Sequence, residues 1–130
     1  MRIEEYFRRL DEFIANCSVV QSFNVTSDKR ASHEGFIRGE IFFIDGSCLQ
    51  FREFVEVEII IDRLMYTYHY VDTANHLRFR YDNTGHHKNL SLSTYPHHKH
   101  DGSEHNVIVS IAPTLAEVLG EIEATILSLK

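Results

Sequence analysis

Cysteine is almost missing from this chain: Cys17 and Cys48 are the only two among 130 residues, and they form no CxxC pair. One pair cannot supply the disulfide framework of a small secreted domain, so two buried or partly buried thiols in a reducing compartment are expected. A membrane-spanning run is missing too, since no apolar stretch approaches the roughly 20 residues that a span needs. The opening MRIEEYFRRLDEF is acidic and amphipathic, unlike a secretory signal. These absences lead to the expectation of a cytoplasmic protein without a membrane partner. An excess of basic residues is also absent, and a formal net charge of -6 argues against indiscriminate binding of polyanions. Linkers, repeats and low-complexity stretches are lacking, so residues 1–130 read as a single domain.

What is present suits a packed core: the chain is 43% hydrophobic, with nine phenylalanines and six tyrosines. Ile3, Tyr6, Phe7, Leu10, Phe13 and Ile14 recur at helical steps and predict a helix over residues 2–16. Strands follow at 18–27, 36–45, 48–61, 64–72 and 76–82, with a short last one at 107–112. Residues 28–34 read as a polar turn, and Asp45-Gly46 signals a hairpin because glycine tolerates positive φ. In the third strand Leu49, Phe51, Val55, Val57 and Ile59 alternate with polar side chains, which marks one buried and one wet sheet face. Thr114-x-x-Glu117 reads as a capping box that opens a final helix carrying Leu115, Val118, Leu119, Ile122, Ile126 and Leu129. The expected fold is α+β: an antiparallel meander of about five to six strands, flanked by an N-terminal and a C-terminal helix on one sheet face. Edge strands of such a sheet could pair two copies into a homodimer.

Chemistry concentrates between Arg78 and His100, RFRYDNTGHHKNLSLSTYPHHKH, which holds five of the nine histidines. Arg78, Arg80, Lys88 and Lys99 face Asp82 alone, a local net charge of +3 that leaves -9 for the rest of the chain. A basic, histidine-rich segment on an acidic body suits a local anion site. Leu77, Phe79 and Tyr81 alternate with Arg78, Arg80 and Asp82, so both guanidiniums and the carboxylate are expected on one face. Residues 83–106 read as an irregular loop, long enough to suggest function.

Histidine moves protons near neutral pH, and arginine or lysine stabilises charge on phosphoryl oxygens. Tyr68, Tyr81 and Tyr95 could stack on bases or donate a hydroxyl. A metal-independent ribonuclease needs a base for the 2′-OH, an acid for the leaving 5′-oxygen and a cation at the phosphate, and this segment can fill all three roles. Arg80 is assigned to the phosphate with Lys99 as a second contact, and His98 or His100 as general base or acid. His87 is the other proton carrier, with Asp82 as its orienter. Within each adjacent pair, His86-His87 and His97-His98, only one ring is expected to serve, because neighbours on extended chain point oppositely. The same residues could instead hold a divalent metal, as imidazoles at His98 and His100 can point the same way, although no standard zinc motif is present. His69, Arg38 and Arg52 read as ordinary sheet residues, and the Tyr66-Tyr68-Tyr70 stripe as cross-strand packing.

Tyr68-His69-Tyr70, LRFRYDN at 77–83, His86-His87 and YPHHKH at 95–100 occur in an order and spacing that resemble the TumE-like toxin family of type II toxin–antitoxin systems. IFFIDGSCLQFREFVEV also looks like that family's hairpin. Two departures are Gly85, where proline would be expected before the histidine pair, and a slightly longer stretch between His87 and Pro96. The resemblance covers most of the chain. It implies a small toxin whose partner is a cognate antitoxin, expected to carry a helix-turn-helix domain. The residues themselves give the reaction: metal-independent endoribonuclease chemistry on RNA, with no cofactor. The alternatives are a non-catalytic binding module and a metal-dependent nuclease or nucleotidyl-modifying enzyme.

Overall fold

Alternation of side chains decides which way each strand faces, and a computed structural model describes the outcome for residues 1–83 and 96–128. The order is α1 (Ile3–Asn16), β1 (Val20–Ala31), β2 (Glu34–Phe43), β3 (Cys48–Glu56), β4 (Asp62–Val71), β5 (Leu77–Asp82), β6 (His98–Asp101), β7 (Val107–Val109) and α2 (Leu115–Ser128). The strands form one sheet in chain order, and each neighbour pair is antiparallel, which makes the expected meander. The α+β class and the helix at each end agree with the sequence reading.

One face of the sheet carries the core. Ile37 and Ile41 of β2, Leu49, Phe51 and Val55 of β3, and Tyr66, Tyr68 and Tyr70 of β4 are all buried there. Tyr6, Phe7, Leu10 and Ile14 of α1 are buried with them, as are Leu115, Val118, Leu119, Ile122 and Ile126 of α2. Each such apolar side chain contributes roughly 1.5–3 kcal/mol by leaving water. Helix α1 lies so close to β2 that a Cβ at Gly35 would meet Phe7 Cζ at 2.7 Å and Ile3 Cγ1 at 2.9 Å. The capping box of α2 forms as expected: Glu117 N–H donates to Thr114 Oγ1 at 3.2 Å, and Thr114 N–H donates to Glu117 Oε1 at 2.9 Å.

Several boundaries differ from the sequence reading. Among the described residues there are seven strands rather than five or six, because His98–Asp101 forms a strand inside the stretch read as irregular. HKHD shows no alternation of apolar and polar residues, but its backbone pairs with both neighbours. Strand β1 runs to Ala31, through the supposed polar turn, since ladder bonds with β2 need only main chain. Strand β3 ends at Glu56, and Ile59 does not face the core: it is 91% exposed, with Ile60 and Ile61 exposed beside it. Phe13 is exposed as well, one step outside the buried stripe of α1. Leu129 lies outside the described residues. No helix among the described residues is long and apolar enough to cross a membrane.

Candidate functional site

The face of the sheet away from the helices carries the chemistry. Strand register sets it: Arg80 lies opposite His69 on β4 and opposite His100 on β6, while Asp82 lies opposite Thr67 and His98. Directly opposed residues share a face, so Arg80, Asp82, His98 and His100 converge.

Asp82 is the centre of the cluster. Its Oδ1 lies 2.8 Å from His98 Nε2, and its Oδ2 lies 3.7 Å from His100 Nε2. Arg80 Nε donates to Asp82 Oδ2 at 3.1 Å, and Arg80 Nη2 donates to His100 Nε2 at 3.0 Å. The other side of the guanidinium is taken by Glu104, with both terminal nitrogens 2.8 Å from its carboxylate oxygens. Each imidazole is fixed from behind by a carbonyl, which can only accept. His98 Nδ1 donates to Pro96 O at 2.9 Å, and His100 Nδ1 donates to Glu104 O at 2.8 Å. His100 is therefore the Nδ1–H tautomer with its Nε2 lone pair facing Arg80, a state inferred from its partners. Burial holds its pKa below the usual histidine range, against the Glu104 carbonyl that pulls it upward. Asp82, His98 and His100 are 2%, 1% and 1% exposed. Arg80, which contacts Asp82 and His100, is a quarter exposed along its side chain.

Arg80 also lines an open cleft of about 570 Å³ on the same face. Arg38, Arg52, His69, Thr67 and Gln50 line it too, with Glu40 as the one acidic residue among its described lining. Arg38 and Arg52 are directly opposed across β2 and β3, and neither has an ion-pair partner among the described residues. Like charges placed opposite one another destabilise a sheet. An anion between them removes that penalty. His69 is pushed below the usual histidine range by burial and by Arg80. Sequence reasoning treated Arg38, Arg52 and His69 as plain sheet residues. The signal was available: counting outward from the Asp45-Gly46 turn brings Arg38 opposite Arg52.

A second polar network lies on the helix-covered face. Buried Glu53 accepts hydrogen bonds from the Tyr6 and Tyr68 hydroxyls, the latter at 2.6 Å. Arg63 donates to Tyr68 Oη at 2.9 Å and to the carbonyls of Pro113 and Ala112. Its guanidinium also lies 4.5 Å from the Tyr66 ring centroid. Burial pushes the Tyr66 hydroxyl up to about 12.

The expected site residues thus divide. Arg80, Asp82, His98 and His100 come together. Tyr68 and Tyr81 face the helices, Tyr81 Oη donating to Glu121. Lys99 sits on that same side, 4.9 Å from the Tyr81 ring centroid and 3.8 Å from Glu121, so it cannot share a phosphate with Arg80 across the sheet. His97 stacks on Tyr66 and shares a 2.8 Å hydrogen bond with its hydroxyl. Asp82 meets His98, and its expected pairing with His87 falls outside the described residues. His86, His87, Lys88 and Tyr95 lie outside the described residues.

A family model described as Toxin TumE matches residues 10–126, which is most of the chain and includes the whole described cluster. Neither the comparison with curated proteins nor that with solved structures gave a match.

Proposed function

The chain belongs to the TumE toxin family, and on that premise we propose that this toxin acts in the cytoplasm by cleaving RNA on the open face of its sheet without a metal. Membership also implies an antitoxin partner. A helix-turn-helix domain on that antitoxin belongs to the proposal.

One observation carries the reading: three guanidiniums, Arg38, Arg52 and Arg80, line one cleft, and the last of them touches His100 and Asp82, whose other carboxylate oxygen meets His98. Opposed arginines suit a phosphodiester, which takes bidentate contacts from guanidinium. Arg80 binding a phosphate would release His100 Nε2. That nitrogen then takes the proton from the 2′-OH as its oxygen attacks phosphorus. The bond to the 5′-oxygen breaks, and the proton that this oxygen needs comes from His98, held against Asp82. The products are a 2′,3′-cyclic phosphate and a 5′-hydroxyl, with no other reactant consumed. The acidic body restricts binding to this cleft.

The test is incubation of the purified full chain with a defined RNA, with and without EDTA, reading both product ends. Cleavage that persists in EDTA and leaves a 2′,3′-cyclic phosphate is the expected result. His100→Gln should then reduce the rate by roughly 10²–10⁴-fold, the range of general acid–base contributions. Intact RNA in both tubes, or cleavage abolished by EDTA, would refute the mechanism.

A further inference from the structure

We propose that Asp82, His98 and His100 form a binding site for one divalent transition-metal ion of the zinc type, and that Arg80 competes with the ion for it.

The argument begins with the far sides of the two rings. Both Nδ1 atoms are committed to backbone carbonyls, those of Pro96 and Glu104. Both Nε2 atoms are thereby directed at the same carboxylate. This is the outer-shell arrangement of metal-ligating histidines, in which a carbonyl on one nitrogen fixes the tautomer and aims the other. The distances fit as well. Two ligands on a tetrahedral zinc ion, each bound at about 2.0–2.1 Å, stand roughly 3.3 Å apart. Here His98 Nε2 lies 2.8 Å from Asp82 Oδ1 and His100 Nε2 lies 3.7 Å from Asp82 Oδ2, and one ligand atom from each of the three residues can be chosen so that all lie within 4.8 Å of one another. A rotation of the Asp82 carboxylate and small ring movements would draw the three around one ion. The donor set then selects the ion. Two imidazoles and one carboxylate suit zinc, cobalt, nickel or ferrous iron. Magnesium and calcium prefer oxygen ligands and retained water, which a buried pair of imidazoles does not offer.

Arg80 supplies the positive charge at this place in the protein. Its Nη2 donates to His100 Nε2 and its Nε to Asp82, so an ion can enter only when the guanidinium withdraws. Glu104 already binds both terminal nitrogens and can keep them as it does so. The cleft that Arg80 lines gives the route in once the guanidinium withdraws. Resting on the acid–base reading above, the ion should also inhibit RNA cleavage, because it takes the lone pair that His100 uses and the nitrogen from which His98 gives its proton.

The probes are Zn2+ in competition with a chromophoric chelator and Co2+ followed by its visible absorption, both with the full wild-type chain. One ion per chain is expected, with intense four-coordinate Co2+ bands. His100→Gln should weaken binding by more than the roughly 10–100-fold that outer-shell changes cost. Arg80→Ala should tighten it by roughly tenfold or more, as expected when one cation leaves the site. The Co2+ spectrum needs no variant, so it keeps the test valid if His100→Gln fails to fold. Absence of 1:1 binding at micromolar Zn2+, weak octahedral Co2+ bands, unchanged affinity in folded His100→Gln, or weaker binding in Arg80→Ala would each overturn the site. RNA cleavage stimulated by Zn2+ would overturn the inhibition and the acid–base mechanism together. Binding lost in folded His100→Gln would still establish the site.

Discussion

Glu53 stands where the alternation of β3 calls for an apolar side chain, and it is fully buried. Two tyrosine hydroxyls donate to it, yet burial raises its pKa above the usual carboxyl range. The sign of the pH effect follows. A carboxyl that binds its proton more tightly folded than unfolded makes the protein less stable as pH rises from about 4.5 through its raised folded value. Glu53→Gln removes that titration and keeps an acceptor for one tyrosine. Urea unfolding of both chains between pH 4.5 and 7 should show the variant gaining stability relative to wild type as pH rises. A constant difference across that range would show that Glu53 does not titrate there. At this scale the sequence was informative about Arg80 and Asp82, whose shared face follows from period two alone. It misplaced Lys99, since alternation cannot be applied to residues taken for a loop.

Among the elements, the β2–β3 hairpin matters most to the cleft, because its register puts Arg38 opposite Arg52. The turn fixes that register. Gly46 has φ of +87°, its N–H donates to Phe43 O at 3.0 Å, and a Cβ there would lie 2.7 Å from Thr73 Cγ2. Gly46→Ala should therefore cost about 1–2 kcal/mol for the left-handed backbone alone. Thermal unfolding should report it as a drop of several degrees, and an unchanged midpoint would show that the turn relaxes freely. The hairpin was plain in the sequence as an Asp-Gly between alternating runs. Strand β6 was not, because histidines and a lysine carry no hydropathy signal, and its place in the sheet comes from β5 and β7 on either side.

Over the whole molecule, an acidic body carries a cleft with three arginines, so binding to RNA should be local and salt-dependent. Each neutralised phosphate on a single strand contributes about -0.7 to the slope of log K against log salt. Replacing Arg38 and Arg52 together with glutamine should make the slope shallower by about 1.4 units. Fluorescence anisotropy with a short RNA at several salt concentrations measures this. An unchanged slope would place the RNA elsewhere. Both side chains are exposed on the open face, so the fold should tolerate the change.

The sequence by itself determined the class of fold, the two helices and their buried stripes, the Asp-Gly turn, the capping box and the concentration of histidines behind Arg80. All of these depend on near neighbours in the chain, through a period of two or 3.6 or a single turn, and local patterns record them. The tertiary structure decided which partners met. It joined Asp82 to His98, put Arg80 against His100 and Glu104, set Arg38 across from Arg52, and turned Lys99 and Tyr68 to the opposite face. Those choices depend on register between strands distant in sequence, which is set by how the whole sheet buries its apolar side under the two helices.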